Sequence, residues 1–167
     1  MIAEELGRTL TASPFLSTAV MGAVAIANNG SPSQRARWLP TIADGSINVA
    51  VAVDEYRSHS PTLVSTTVES SGRGFRISGS KSFVADGHVA DLILVSGRTS
   101  GDDKDENGIS LFLVPRDSAG ITIERQMMVD SRNSASVQLD DVMVDADSLV
   151  GEVGSGCLLY TSPSPRD

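Results

Sequence analysis

Apolar positions in the first 45 residues recur at three- and four-residue spacings. Between Pro14 and Asn29 they fall at Phe15, Leu16, Ala19, Val20, Ala23, Ile26 and Ala27, which predicts a helix with one broad apolar face. Asn28-Asn29-Gly30 then reads as a stop, with a left-handed cap that Gly and Asn tolerate. Ser31-Pro32-Ser33-Gln34 supplies an N-cap, a proline at the first helical position and a capping-box Gln. The helix opened there carries Arg35, Arg37, Trp38, Leu39 and Ile42, and is expected to kink or tighten at Pro40 and end at Gly45.

After Gly45 the period falls from 3.6 to 2, and short runs rich in Val, Ile, Thr and Ser alternate with turn residues. Strands are expected over Ile47–Asp54, Leu63–Ser70, Gly74–Ser78, Lys81–Ala85, Asp91–Ser96, Ile109–Pro115, Ile121–Met127 and Ser134–Val144. The fold class is therefore α+β, a helical segment followed by an antiparallel β-barrel or sandwich. Two helices cannot enclose a core alone, so residues 1–45 read as the end of a larger helical domain and residues 46–150 as a β-domain. Residues 151–167 read as a truncated linker, because Cys157–Asp167 shows neither period and carries two prolines, as a non-native tail would.

The 167 residues carry 21 acidic and 13 basic side chains, for a formal net charge of -8. Such a surface repels a polyanion, so nucleic-acid binding is disfavoured. One cysteine, Cys157, fits a reducing compartment, and the longest apolar run is too short to span a bilayer, so a cytoplasmic location without a membrane span is expected. Several local patterns fail as sites. Asp103-Lys104-Asp105-Glu106-Asn107-Gly108 opens like a calcium loop, but its twelfth position is Val114. Gly151, Gly154 and Gly156 have the wrong order for a phosphate-binding turn. Ser58, His59 and Ser60 beside Asp54 lack a nucleophile elbow, and two histidines without a usable cysteine give no zinc site.

A pattern spread along the chain carries more. Glu4-Glu5-Leu6-Gly7-Arg8, Gln34-Arg35-Ala36-Arg37-Trp38-Leu39-Pro40, Val51-Ala52-Val53-Asp54-Glu55, Ile77 to Gly87 and Leu139-Asp140-Asp141-Val142-Met143-Val144 stand in an order and spacing that resembles the acyl-CoA dehydrogenase family, from about Ala3 to Gly156. The resemblance implies a helical N-terminal domain, a middle β-domain and a C-terminal four-helix domain around FAD, of which this chain matches the end of the first and the whole of the second. It implies α,β-dehydrogenation of an acyl-CoA, a carboxylate base in the C-terminal domain, a homo-oligomer and electron-transfer flavoprotein as acceptor. No catalytic residue and no metal ligand is assigned in this chain.

The same resemblance assigns cofactor contacts. Val53 and Asp54 match the strand end whose backbone amides and hydroxyl meet the pyrimidine edge of the flavin, although Asp54 replaces the hydroxyl residue and Tyr56 the usual proline. Ser60 matches a hydroxyl near the pyrophosphate. Phe83, followed by Val84, matches the aromatic that packs on the isoalloxazine ring, with a core phenylalanine as the alternative. Ala85 stands where a Thr or Ser usually bonds flavin N5 and can offer only its backbone amide. Arg132 and Ser134 match a Gly-x-Arg-x-Ser turn at the domain interface or the CoA. The competing expectation is a non-catalytic β-rich binding module whose flavin site has decayed.

Overall fold

A computed structural model describes residues 2–105, 107–129 and 132–156. The expected tail at Cys157–Asp167 lies outside the described residues, as do Asp130 and Ser131. The chain begins with helix α1 (Ile2–Arg8), then a π-helical segment (Phe15–Gly22) that runs into α2 (Ala23–Asn29), and α3 (Pro32–Ala43). Eight strands follow: β1 (Val49–Ala52), β2 (Thr67–Ser71), β3 (Gly74–Ala85), β4 (Leu92–Arg98), β5 (Ile109–Pro115), β6 (Ile121–Met127), β7 (Asn133–Asp145) and β8 (Leu149–Val150).

The strands form one open sheet in the order β6-β7-β3-β2-β4-β5-β8, with β1 also on β4. The α+β class holds. Most pairings are antiparallel as expected, but β1 runs parallel to β4 and the sheet does not close into a barrel. Two expected strands, Gly74–Ser78 and Lys81–Ala85, are one strand interrupted by irregularities, because both halves pair with the long β7. The expected strand over Leu63–Ser70 starts only at Thr67, since the amides of Ser65 and Thr66 are taken by the Glu55 carboxylate.

β4 and β5 are buried on both faces, which divides the core in two. Ile93, Val95, Phe112 and Val114 face a cluster completed by Ala50, Val68, Ile77, Val84, Val137, Leu139 and Val142, enclosed by the curl of the sheet. Leu92, Leu94, Leu111 and Leu113 face the other cluster, which the helices cover through Ala25, Ile26, Trp38, Leu39 and Ile42. The helical segment is thus fastened to the sheet. Thr18 Oγ1 donates to Val49 O (3.1 Å) and accepts from Val49 N (3.0 Å), continuing the edge of β1 into a helix.

The Ser31 capping box forms as expected, and its Gln34 does more than cap. Gln34 Nε2 also donates to the carbonyls of Asp147 (2.6 Å) and Leu149 (2.9 Å), so a local helix signal doubles as a tie across the fold. α3 runs through Pro40 and ends at Ala43. Gly30 departs from expectation, being extended rather than left-handed; a Cβ there would lie 2.5 Å from Ile26 O, so glycine is required by close approach. Among the described residues no helix is long and apolar enough to cross a membrane.

Replacing Gln34 by Ala removes the cap partner and both ties, for an expected loss of about 2–3 kcal/mol. Thermal unfolding should then shift down by roughly 5–10 °C; an unchanged midpoint would contradict the docking role.

Candidate functional site

The end of β1 and the second half of β3 lie side by side, joined from below. Beyond Ala52 the chain leaves the ladder, and its next three carbonyls turn to hydroxyl and amide donors of the domain. Ser96 Oγ donates to Val53 O (3.4 Å), Ser82 N to Asp54 O (2.8 Å) and Ser82 Oγ to Glu55 O (3.5 Å). Among the described residues no acceptor takes the amides of Asp54 or Glu55. Unpaired backbone donors of this kind are ready partners for a ligand carbonyl.

Beneath this edge sits a buried ion pair. Lys81 Nζ donates to Glu55 Oε1 (2.7 Å) and to Ser96 Oγ (2.9 Å), with the Lys81 side chain fully buried and that of Glu55 6% exposed. The Glu55 carboxylate also accepts from Ser65 N (2.7 Å) and Thr66 N (3.0 Å). Gly79 lets this loop come close: its φ is 154°, and a Cβ there would meet Thr66 Cα at 2.7 Å. Burial pulls the Lys81 ammonium down to about 8, against the opposing pull of Glu55 and Asp54 and with added repulsion from Arg98. Burial pushes the Glu55 carboxyl up, yet Lys81 and the hydrogen bonds from the Ser65–Thr66 loop outweigh it and leave it below its ordinary value.

Phe83 is a bulge residue with φ 54°. Between Lys81 and Val84 the register with β7 gains one residue, so both Lys81 and Val84 point into the domain and Phe83 is left outside, 42% exposed. The core alternative for Phe83 is thereby excluded, and Val84, 1% exposed, takes the core place instead. Gln126 Oε1 accepts from Phe83 N at 3.3 Å. Ala85 is exposed and pairs across β3 and β7 with Ser134, which pairs in turn with Gln126, so these three share one face. Ser134 is 5% exposed and its Oγ is buried without a partner. Arg132 is exposed just before β7.

Asp54 is held by its own loop. Its Oδ2 meets His59 Nδ1 and its Oδ1 accepts from Ser60 N, each at 2.9 Å, with 19% of the side chain exposed. The dismissed Asp-His-Ser grouping therefore assembles in part, but no hydrogen bond among the described residues joins His59 to the hydroxyl of Ser58 or Ser60. Ser60 reaches the site through its backbone rather than its hydroxyl. Two residues that shape the site were missed by sequence reasoning. Lys81 falls in the inward phase set by Ile77, and a lysine on a buried face demands an acid, which was an available signal. Arg98 carried none: buried in β4, it donates to the carbonyls of Thr62, Val64, Asp103, Asp105 and Asn107, which pins the loops on both sides of β2 and β4. Among the described residues no three His, Cys, Asp or Glu side chains are grouped to hold a metal.

Comparison with known proteins gives this geometry its context. The model for the middle domain of acyl-CoA dehydrogenases matches residues 50–142, and the model for their N-terminal domain matches residues 1–46. The chain belongs to the acyl-CoA dehydrogenase family. Acyl-CoA dehydrogenase FadE12 of Mycobacterium tuberculosis is 36% identical over 140 residues, covering 81% of this chain and 36% of the relative. The crystal structure of an acyl-CoA dehydrogenase from Geobacillus kaustophilus is 33% identical with a TM-score of 0.75, over 81% of this chain and 37% of that one. The ChsE4-ChsE5 complex of Mycobacterium tuberculosis shares the fold at 23% identity, with a TM-score of 0.84 over 95% of this chain and 41% of that one. The chain thus spans less than half the length of each of these proteins. All of Val53, Asp54, Ser60, Phe83, Val84, Ala85, Arg132 and Ser134 fall inside the matched middle domain.

Lys81→Met alone strands the Glu55 charge in the interior and should cost roughly 3–5 kcal/mol in denaturant unfolding; a loss below about 1 kcal/mol would mean that the carboxylate is already solvated. The pH dependence has a definite sign. Glu55 is depressed, so its contribution is present above its ordinary value of 4.5 and is lost as pH falls through its folded value. Lys81 is depressed too, so between about 8 and 10.5 the unfolded chain holds more protons and stability from this group rises with pH. Lys81→Met should abolish that alkaline rise, and Glu55→Gln should flatten the acid loss, both read from thermal unfolding against pH.

Proposed function

We propose that this chain is the flavin-facing part of an FAD-dependent acyl-CoA dehydrogenase, a cytoplasmic homo-oligomer that oxidises an acyl-CoA thioester between its α- and β-carbons and passes electrons to electron-transfer flavoprotein. Residues 1–45 belong to its helical N-terminal domain and residues 46–150 form its middle β-domain. The observation that carries the reading is the edge at Asp54 and Glu55, where amides without acceptors stand beside the outward-bulged Phe83.

The donor set suits a flavin. The amides of Asp54 and Glu55 match the carbonyl oxygens of a pyrimidine ring, and Phe83 offers an apolar face to a flat heterocycle. The buried Ser134 hydroxyl, unpartnered and on the face of Ala85, supplies a polar group where Ala85 has none. When bound, FAD supplies the hydride acceptor for the β-carbon. The work of residues in this chain is to bind and orient the ring and to keep water from one side of it. By the family resemblance, the base that removes the α-proton comes from a C-terminal helical domain, and no residue of this chain is given that role. Arg132 and Ser134 serve the interface toward that part or toward CoA.

A second reading is favoured by one observation: both oxygens of Asp54 are already engaged by His59 and Ser60, as in a binding module whose cofactor site has closed on itself. The two diverge in one experiment. The full-length protein carrying this chain should purify with flavin, and acyl-CoA should bleach its visible absorbance, whereas the 167 residues alone should show no substrate-dependent bleaching. Full-length protein without flavin would support the second reading. Within the enzyme reading, Phe83→Ala should weaken FAD binding about 5–10-fold, equivalent to roughly 1–1.4 kcal/mol, measured by flavin fluorescence titration.

A further inference from the structure

Besides the Ser82 hydrogen bonds to Asp54 O and Glu55 O, one contact between side chains ties the two limbs of the site together. The first limb, Val53 to Glu55, ends in Glu55; the second, Lys81 to Ala85, begins with Lys81; and these two side chains form the buried pair at 2.7 Å. The Lys81 end is anchored again by Ser96 on β4, whose Oγ also holds Val53 O. The Glu55 end is anchored by two amides of the loop before β2. Immediately after Lys81 the strand bulges at Phe83 and then returns Val84 to the core. The Lys81–Glu55 contact thus joins the limb that carries the donor edge at Asp54 to the limb that carries Phe83.

As an ion pair alone, Lys81 and Glu55 could be replaced by packed hydrophobic residues at little or no cost. An apolar pair could not hold the Ser65 and Thr66 amides or fix the direction of the Glu55 backbone. We infer that Lys81 and Glu55 are positioning residues for the flavin site: their contact sets the geometry between the Asp54–Glu55 amides and Phe83. Lys81 is fully buried, so it acts through Glu55. The inference rests on the flavin reading for its purpose, and on the hydrogen bonds alone for its geometry.

The test separates these. In the 167-residue chain, the double variant Lys81→Met/Glu55→Leu is compared with the original by thermal unfolding, amide hydrogen exchange and FAD titration. The double variant should still unfold cooperatively, its midpoint lowered by the loss of the acceptor for the Ser65 and Thr66 amides, while the Kd for FAD rises tenfold or more and the Ser82 amide exchanges at least tenfold faster. Ser82 is the reporter because its acceptor, Asp54 O, is left intact by both substitutions. A folded double variant with unchanged Ser82 protection and unchanged FAD affinity overturns the inference. If the original chain takes up no FAD, the titration is made on the full-length protein, whose failure to bind flavin would count against the flavin reading, while Ser82 protection still decides the positioning role. Should the double variant not fold, Glu55→Gln decides: it keeps a side-chain oxygen to accept from the loop amides but removes the charge that holds Lys81, and should raise the Kd about threefold and loosen Ser82. No change in either sinks the proposal.

Discussion

β4 is apolar on both faces, and most of the architecture answers to that constraint. A strand that buries Leu92 and Leu94 on one side and Ile93 and Val95 on the other needs two covers. The curl of the sheet supplies one and the helices the other, which is why the helical segment is docked through Ala25, Ile26 and Trp38 instead of standing free. β1 joins β4 in parallel along the same length, Val49 against Leu92 through Ala52 against Val95. Each added strand or helix removes apolar surface from water, the largest favourable contribution available to a chain of this composition.

The chemistry begins where that apolar stretch stops. Ser96 and Arg98, the polar residues near the end of β4, are both fully satisfied, one by Lys81 and Val53 and the other by five backbone carbonyls. Buried polar groups carry a penalty unless paired, so each dictates where neighbouring loops must run. Arg98 gathers the carbonyls on either side and Glu55 gathers the amides of Ser65 and Thr66. The result is a polar rim at one end of an apolar core, with β1 ending in free amides and β3 bulging at Phe83. A platform of that kind is hydrogen-bonded where it faces inward and leaves the amides of Asp54 and Glu55 unpaired.

Elements whose signal is local were readable before the structure. The Ser31–Gln34 capping box, the strands Ile109–Pro115 and Ile121–Met127, and the exposed acidic loop after Thr99 all follow from short-range chemistry. Long-range competition explains the rest. Leu63 to Thr66 has strand composition, but a carboxylate ten residues upstream captures its amides. Asp54 has a strand neighbourhood, but its side chain closes a turn with His59 and Ser60. Gly30 looked like a left-handed cap and is instead a contact point. Within the site, the resemblance pointed to Val53–Asp54 and Phe83–Ala85, while the alternation rule could not foresee the bulge that exposes Phe83. The ion pair at Lys81 was legible only as a charged residue on an inward phase whose partner lies 26 positions away.

The central claim is spatial: the amides after β1, the bulge at Phe83 and the Ala85–Ser134 face make one flavin-binding surface. Amide chemical shifts of the 167-residue chain, recorded while FAD is added, test it most directly. The account predicts that shifts concentrate at Asp54, Glu55, Phe83, Ala85 and Ser134 while the covered face around Leu92 and Leu111 stays still. Shifts confined to the acidic loop at Asp102 to Asp105, or scattered without a centre, would contradict it.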